Sequence, residues 1–291
     1  MSYPTDRTLT VATRRSPLAL AQADLVVDHL RARLPDAEFE LSKMVTTGDK
    51  QREWSLEKQG GKGLFTGELE RALIDGEADL AVHSGKDLPT VLGEGLVLAG
   101  FLPREVAHDV LVLPEGREFP SEIATGSPRR RQQLERRYPD ASFVEIRGNV
   151  ETRLRKVADG EVGSTVLAAA GLLRLGIKSF PGVRFEPIAI EDCVPAAGQA
   201  AIAVQCRESE VKRFSPCLHG GTGIAVTLER TFLRAMEGGC QTAFAVHYAL
   251  GRIQLFHEQC GVVTFTVPGD DAGQVPEEIA MAILRETGLM Q

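Results

Sequence analysis

The sequence predicts an α/β fold in which two similar doubly wound domains flank a cleft and a small α+β domain follows. Three observations predict it. Short apolar runs alternate with amphipathic helical stretches; the same order of strand, polar junction and helix starts again after about residue 105; and the last quarter changes to one helix followed by closely spaced strands.

Residues 9–13 read as a buried strand, and Pro17 opens a helix with Leu18, Leu20, Ala21, Leu25, Val26 and Leu30 at helical spacing. Arg14, Arg15 and Ser16 form the junction. A second strand at 39–45 leads into a loop rich in glycine and charge that ends in Lys58-Gln59-Gly60-Gly61-Lys62-Gly63-Leu64-Phe65. A helix over 66–74 and a strand over 79–82 follow, which indicates βαβ units and a mainly parallel sheet. In such sheets ligands bind at the carboxyl ends of the strands. The second copy of this order has strands at 123–125, 143–146 and 165–168, running into Ser127-Pro128-Arg129-Arg130-Arg131, Arg147-Gly148-Asn149-Val150 and a helix bearing Arg174. Helix starts present unpaired backbone N–H groups, so each junction can hold an anion. One more strand at 201–206 precedes a connector over 207–219. A helix with Val226, Phe232, Leu233 and Met236 then reaches Glu237-Gly238-Gly239-Cys240-Gln241, before strands near 243–248, 253–258 and 262–267 and a helix over 276–286.

Lysine and arginine total 33 against 40 acidic residues, a formal charge of −7, which disfavours a general nucleic-acid binder. The cations are 25 Arg and 8 Lys, and nine of the Arg lie between Arg129 and Arg174. A guanidinium matches a carboxylate or phosphate bidentately, so the expected ligand is a small polyanion; for Arg136 and Arg137 a solvated helix face is the better reading. No run reaches a transmembrane span, and the start lacks an apolar export core, which argues for a cytoplasmic protein without a membrane partner. The five cysteines are widely spaced and free of CxxC or Cys/His pairs, so neither a disulfide frame nor a metal site is expected.

Asp87, in His83-Ser84-Gly85-Lys86-Asp87-Leu88-Pro89, is the acid candidate. At a strand end it can hydrogen-bond an amino or pyrrole nitrogen and stabilise positive charge on a substrate; alternatively it caps a short helix. His83 reads as a structural histidine. Gly60-Gly61-Lys62-Gly63 lacks phosphate-loop spacing, since Leu64 stands where Ser or Thr is needed, but the loop can carry Lys58 and Lys62 over an anion or be plain solvated surface. The two glycines before Cys240 either set an accessible thiol on a turn or stop a helix ahead of a core residue; local sequence alone favours the latter. No neighbour activates the thiol, so its partner must be strongly electrophilic or the link formed once and kept.

As a set these motifs resemble the hydroxymethylbilane synthase (porphobilinogen deaminase) family, from about Leu9 to Gln241. The residues that carry the resemblance are Ala12-Thr13-Arg14-Arg15-Ser16-Pro17-Leu18-Ala19-Leu20, Gly60 to Phe65, Ala81 to Pro89, Arg147 to Leu154, Ala168 to Gly176 and Glu237 to Gln241. The resemblance implies periplasmic-binding-protein-like domains and a deaminase that joins four porphobilinogen molecules head to tail. It implies a dipyrromethane cofactor in thioether linkage to Cys240, with Asp87 as the catalytic acid stabilising pyrrole nitrogens and the cationic azafulvene. Lys58, Lys62, Ser84, Lys86, Ser127, Arg129 and Arg130 match cofactor contacts, and Arg14, Ser16, Arg147, Arg153 and Arg174 match substrate contacts. On this reading the domains are 1–103 plus 198–216, 104–197 and 217–291, and the protein is a monomer. Four positions depart from the family pattern: Gly85 for a bulkier apolar residue, Val106 for aspartate, Ala200 for glycine and Gln205 for glutamate. They bear on loop order and rate. A two-lobed anion-binding protein without covalent chemistry is the alternative, against which Asp87 and Cys240 together count.

Overall fold

The computed structural model describes residues 8–46, 66–236 and 243–290. The chain opens with β1 (Leu9–Arg14), α1 (Pro17–Arg31), β2 (Phe39–Met44), α2 (Gly67–Ile74), β3 (Leu80–Ser84) and β4 (Leu96–Phe101). Next come β5 (Asp109–Pro114), β6 (Glu122–Ala124), α3 (Pro128–Arg137), β7 (Ser142–Val144), α4 (Val150–Ala158), β8 (Thr165–Ala168), α5 (Ala169–Arg174) and β9 (Val183–Pro187). The remainder holds β10 (Ile202–Arg207), α6 (Val211–Phe214), α7 (Gly220–Met236), β11 (Ala245–Ala249), β12 (Arg252–His257), β13 (Gly261–Thr266), α8 (Gly269–Gln274) and α9 (Pro276–Glu286). The chain divides into two compact units, residues 1–105 with 201–223 and residues 106–200 with 224–291.

In the first unit the sheet order is β2-β1-β3-β10-β4. β1 pairs in parallel with β2 and β3, whereas β10 runs antiparallel to both β3 and β4. Both faces are covered. Leu9, Val11, Leu80 and Val82 pack with Ala23, Val26, Val27 and Leu30 of α1. The alternate residues Ala12 and Ala81 pack with Leu69, Ala72 and Leu73 of α2. This period-two division is what a strand buried on both faces requires.

The second unit repeats the design. Its sheet order is β7-β6-β8-β5-β9, again with one strand, β5, antiparallel to its neighbours. Val110, Val112 and Leu167 pack with Leu154 and Val157 of α4, while Leu111, Leu113, Ile123 and Val166 pack with Leu134 of α3. The same unit contains the three-stranded antiparallel sheet β11-β12-β13, whose Val246, Tyr248, Ile253 and Leu255 pack with Leu228 and Phe232 of α7 and Ala280, Ile283 and Leu284 of α9. The doubly wound α/β architecture with a smaller sheet is thus as the sequence predicts. The reversed strand in each sheet, and β4, β5 and β9 themselves, are new.

Two helix starts are built alike. Ser16 caps α1, its Oγ accepting from the Ala19 N–H at 3.2 Å, with Pro17 in the first turn. Ser127 caps α3, accepting from the Arg130 N–H at 3.4 Å, with Pro128 in the first turn. Serine supplies the missing acceptor and proline's fixed φ suits the first helical position, so both junctions are locally encoded. Gly148 has φ 121°, and a Cβ there would lie 2.8 Å from the Thr152 Cβ; this turn, which seats Arg147 and the α4 cap Asn149, needs glycine.

Candidate active site

Polar groups of the first unit collect at the carboxyl end of β3. Arg14, Ser16, Gln22, Thr66, His83, Ser84 and Asp87 line a cavity of about 80 Å³ there, with Leu18, Ala19 and Val82 as its apolar wall. Four of the sequence-predicted site residues, Arg14, Ser16, Ser84 and Asp87, therefore come together. Asp87 is exposed and ends a 3-10 turn over Gly85–Asp87 whose capping position belongs to Ser84, so it does not cap that turn. The Gly85 N–H donates to the Ala201 carbonyl at 2.8 Å, tying the turn to the segment that enters β10. Ser84 Oγ hydrogen-bonds the amide of buried Gln22 at 3.0 Å. The Thr66 hydroxyl is buried with no hydrogen-bond partner among the described residues.

His83, on the cavity lining, is buried and held by a chain of bonds. Gln205 Nε2 donates to Glu70 Oε1 at 2.9 Å, which turns Gln205 Oε1 toward His83 Nε2, also 2.9 Å away. An amide oxygen accepts, so His83 Nε2 carries a proton. Burial, with the Arg14 charge adding to it, lowers the His83 pKa from 6.5 to about 4 against the opposing bond to Gln205. This fits the structural role expected of His83, and it gives Gln205 the task of holding one tautomer.

A second cluster lies at the starts of α3 and α4 in the second unit. Arg129 and Arg130 are buried and share the carboxylate of Asp109, with contacts of 2.8 and 2.7 Å. Burial raises the Asp109 pKa, but the charges of Arg130 and Arg129 and their hydrogen bonds outweigh it and hold the carboxyl far below the usual range. Arg147 Nη2 contacts Glu145 at 3.0 Å, and Arg153 Nε donates to the Gly148 carbonyl at 2.9 Å. The pKa of Arg153 is lowered to about 10 by burial and then by the like charges of Arg130 and Arg147. The Arg153 guanidinium thus feels the charges of Arg130 and Arg147, and a carboxylate brought to it would offset them.

The other predicted residues are distributed around these clusters. Lys86 is exposed. Arg174 Nη2 donates to the Ala200 carbonyl, and Ala200 has φ 68°, the left-handed conformation that the glycine named above would adopt freely. Lys58, Lys62 and Cys240 lie outside the described residues. The four described cysteines are buried or half-buried, and burial pushes each thiol up, Cys193 and Cys206 to about 11. None of these four is activated. Sequence reasoning missed Asp109 and Gln22, and it marked Gln205 only as a departure from the family pattern, not as the partner of His83. Asp109 begins a short strand with no periodic signal, and its side-chain donors come from 20 to 90 residues away, so nothing local marks it.

Fold and site together define the class: a doubly wound α/β protein that sets a carboxylic acid among hydroxyl, amide and guanidinium groups at a strand end. A sequence model described as "Porphobilinogen deaminase, dipyromethane cofactor binding domain" matches residues 9–214. The porphobilinogen deaminase of Desulforudis audaxviator is 47% identical over 256 residues, covering 85% of this chain and 81% of that protein. Those of Syntrophotalea carbinolica and Listeria monocytogenes serotype 4b are 44% and 38% identical, the latter over 96% of this chain and 98% of that protein. The chain belongs to the porphobilinogen deaminase family.

Proposed function

We propose that this chain is a hydroxymethylbilane synthase, a transferase that condenses four porphobilinogen molecules head to tail with loss of ammonia and releases the linear tetrapyrrole by hydrolysis. The observation that carries the proposal is the cavity at the end of β3, where Asp87 stands with Arg14, Ser16 and Ser84. Each porphobilinogen bears an acetate and a propionate, and Arg14 with the Ser16 hydroxyl provides a cation and a donor for one of them. Asp87 accepts from the pyrrole N–H and stabilises positive charge on the substrate as ammonia departs. Neutral His83 adds no competing charge to the cavity wall. Arg147, Arg153 and Arg174 take further ring carboxylates as the product lengthens.

Dipyrromethane, attached to Cys240, supplies the pyrrole carbon on which the chain is extended. The residues present suit it: Arg129 and Arg130 share one buried carboxylate, which leaves a net positive charge for a carboxylate-bearing group. Ser84, Lys86, Ser127, Arg129 and Arg130, with Lys58 and Lys62, would hold it. We further propose three domains, 1–103 plus 198–216, 104–197 and 217–291, the third carrying Cys240, in a cytoplasmic monomer that takes neither nucleic acid nor membrane as partner. Among the described residues no helix is long and apolar enough to cross a membrane.

Intact mass tests the reading. The purified protein should exceed its sequence mass by a dipyrromethane, and Cys240→Ser should not. Asp87→Asn should keep the added mass yet lose nearly all elongation. An unmodified wild-type protein that consumes no porphobilinogen after preincubation with it would sink the proposal.

A further inference from the structure

Asp109, the first residue of β5, is wholly buried. Its Oδ1 accepts from Arg130 Nη2 at 2.7 Å and Gln199 Nε2 at 2.9 Å; its Oδ2 accepts from Arg129 Nη2 at 2.8 Å, Arg130 Nε at 3.1 Å and the Cys193 thiol at 3.6 Å. The arginines have further internal duties. Arg130 Nη1 donates to the Val166 carbonyl at 2.9 Å, and Arg129 Nη1 donates to the Val194 carbonyl. The Nε and Nη2 edge of Arg130, one of the edges by which a guanidinium grips a carboxylate with two bonds, is therefore occupied by the protein's own carboxylate. Two arginines against one carboxylate leave a single net positive charge at the start of α3.

We propose that Asp109 is a positioning residue for the primer. It fixes both guanidinium groups at the α3 start and cancels one of their charges, so that this junction holds a ring carboxylate through remaining N–H groups and one net charge. The proposal rests on the assignment of Ser127, Arg129 and Arg130 to the dipyrromethane. Gln199 adds a neutral donor to the same node: its Nε2 also donates to the Ala107 carbonyl at 2.7 Å, which ties the approach to β5 to the carboxylate.

Asp109→Asn keeps the shape of the side chain and removes its charge; Asp109→Glu keeps the charge and moves it by one methylene. Each full-length variant is produced as the wild type is, its folded fraction is measured by circular dichroism, and its primer content is read by intact mass. At equal folded fraction, Asp109→Asn should carry dipyrromethane on at least about tenfold fewer molecules, and Asp109→Glu should recover at least about threefold of that loss. In the molecules that do carry primer, the KM for porphobilinogen should stay within about twofold, because Asp87 and its cavity belong to the first unit. A folded Asp109→Asn protein loaded like wild type overturns the proposal, as does an Asp109→Glu protein loaded no better than it. Failure of both variants to fold assigns Asp109 to stability alone and overturns it too. A wild type lacking the added mass and inert toward porphobilinogen refutes the functional reading itself, and the proposal with it.

Discussion

Replacing His83 with glutamine should flatten the acid limb of the stability curve. His83 is buried and neutral, with a pKa lowered to about 4, whereas the unfolded chain protonates it near 6.5. Between those values the unfolded state binds a proton that the folded state refuses, so stability falls as pH drops from 6.5 and the loss is complete below 4. The linkage relation gives about 2 kcal/mol lost between pH 7 and 5, and about 3 kcal/mol by pH 4. The groups around the ring account for the refusal. Burial leads, the Arg14 charge adds to it, and Gln205, itself bonded to Glu70, offers an amide where a carboxylate would have favoured the imidazolium. In His83→Gln the new amide can still reach Gln205 but cannot titrate. Urea unfolding of both proteins at pH 7, 6 and 5 measures the effect: the wild type should lose about 2 kcal/mol more than the variant across that range. A difference between the two proteins that stays constant with pH would refute the reasoning, because it would place the titration elsewhere, as at His29 or His257, whose pKa values burial also lowers.

Three further outcomes follow from buried groups. Thr66→Val removes a hydroxyl that is buried without a partner among the described residues and should raise unfolding stability by about 1 kcal/mol in denaturant titration; a clear loss would show that the hydroxyl is satisfied. Glu229→Ala should cost about 3 kcal/mol or more, since the buried carboxylate accepts from the Gly198 and Tyr248 N–H groups at 2.7 and 2.8 Å and both would be stranded. Ala200→Gly should change stability by less than about 1 kcal/mol, because relief of the left-handed backbone is offset by glycine's greater freedom when unfolded and by the methyl lost against Ala107 and Ala170. A melting shift well beyond that would mean the Ala200 conformation does not persist in solution.

Elements whose encoding is local were legible. Ser16-Pro17 and Ser127-Pro128 announced two helices, and the packing of Val11 and Ala12 on opposite faces follows from a strand that sets adjacent apolar residues on alternate sides. Cavity residues were legible when they sat in a continuous motif, as Ser84 and Asp87 do. Partners that meet across the chain were not. Gln205 lies 122 residues from His83 and Gln199 lies 90 from Asp109, and no spacing rule spans such intervals. Strands β4 and β5 went unseen because six apolar-rich residues without alternation do not distinguish a buried strand from a piece of buried helix.

The reversed strand of the first sheet sets the order in which the protein can be completed. β10 lies between β3 and β4 and pairs with both, yet it is synthesised after every strand of the second unit's five-stranded sheet. A nascent chain that has reached residue 200 therefore has β1, β2 and β3 but no partner to bridge β3 to β4, and two strand edges stand open. Such contacts are slow to form and leave the waiting chain exposed to edge pairing with other chains. The first sheet to be started is thus finished only after the second unit's five-stranded sheet, and truncations ending before Ile202 should aggregate even though they keep Arg14, Ser84 and Asp87.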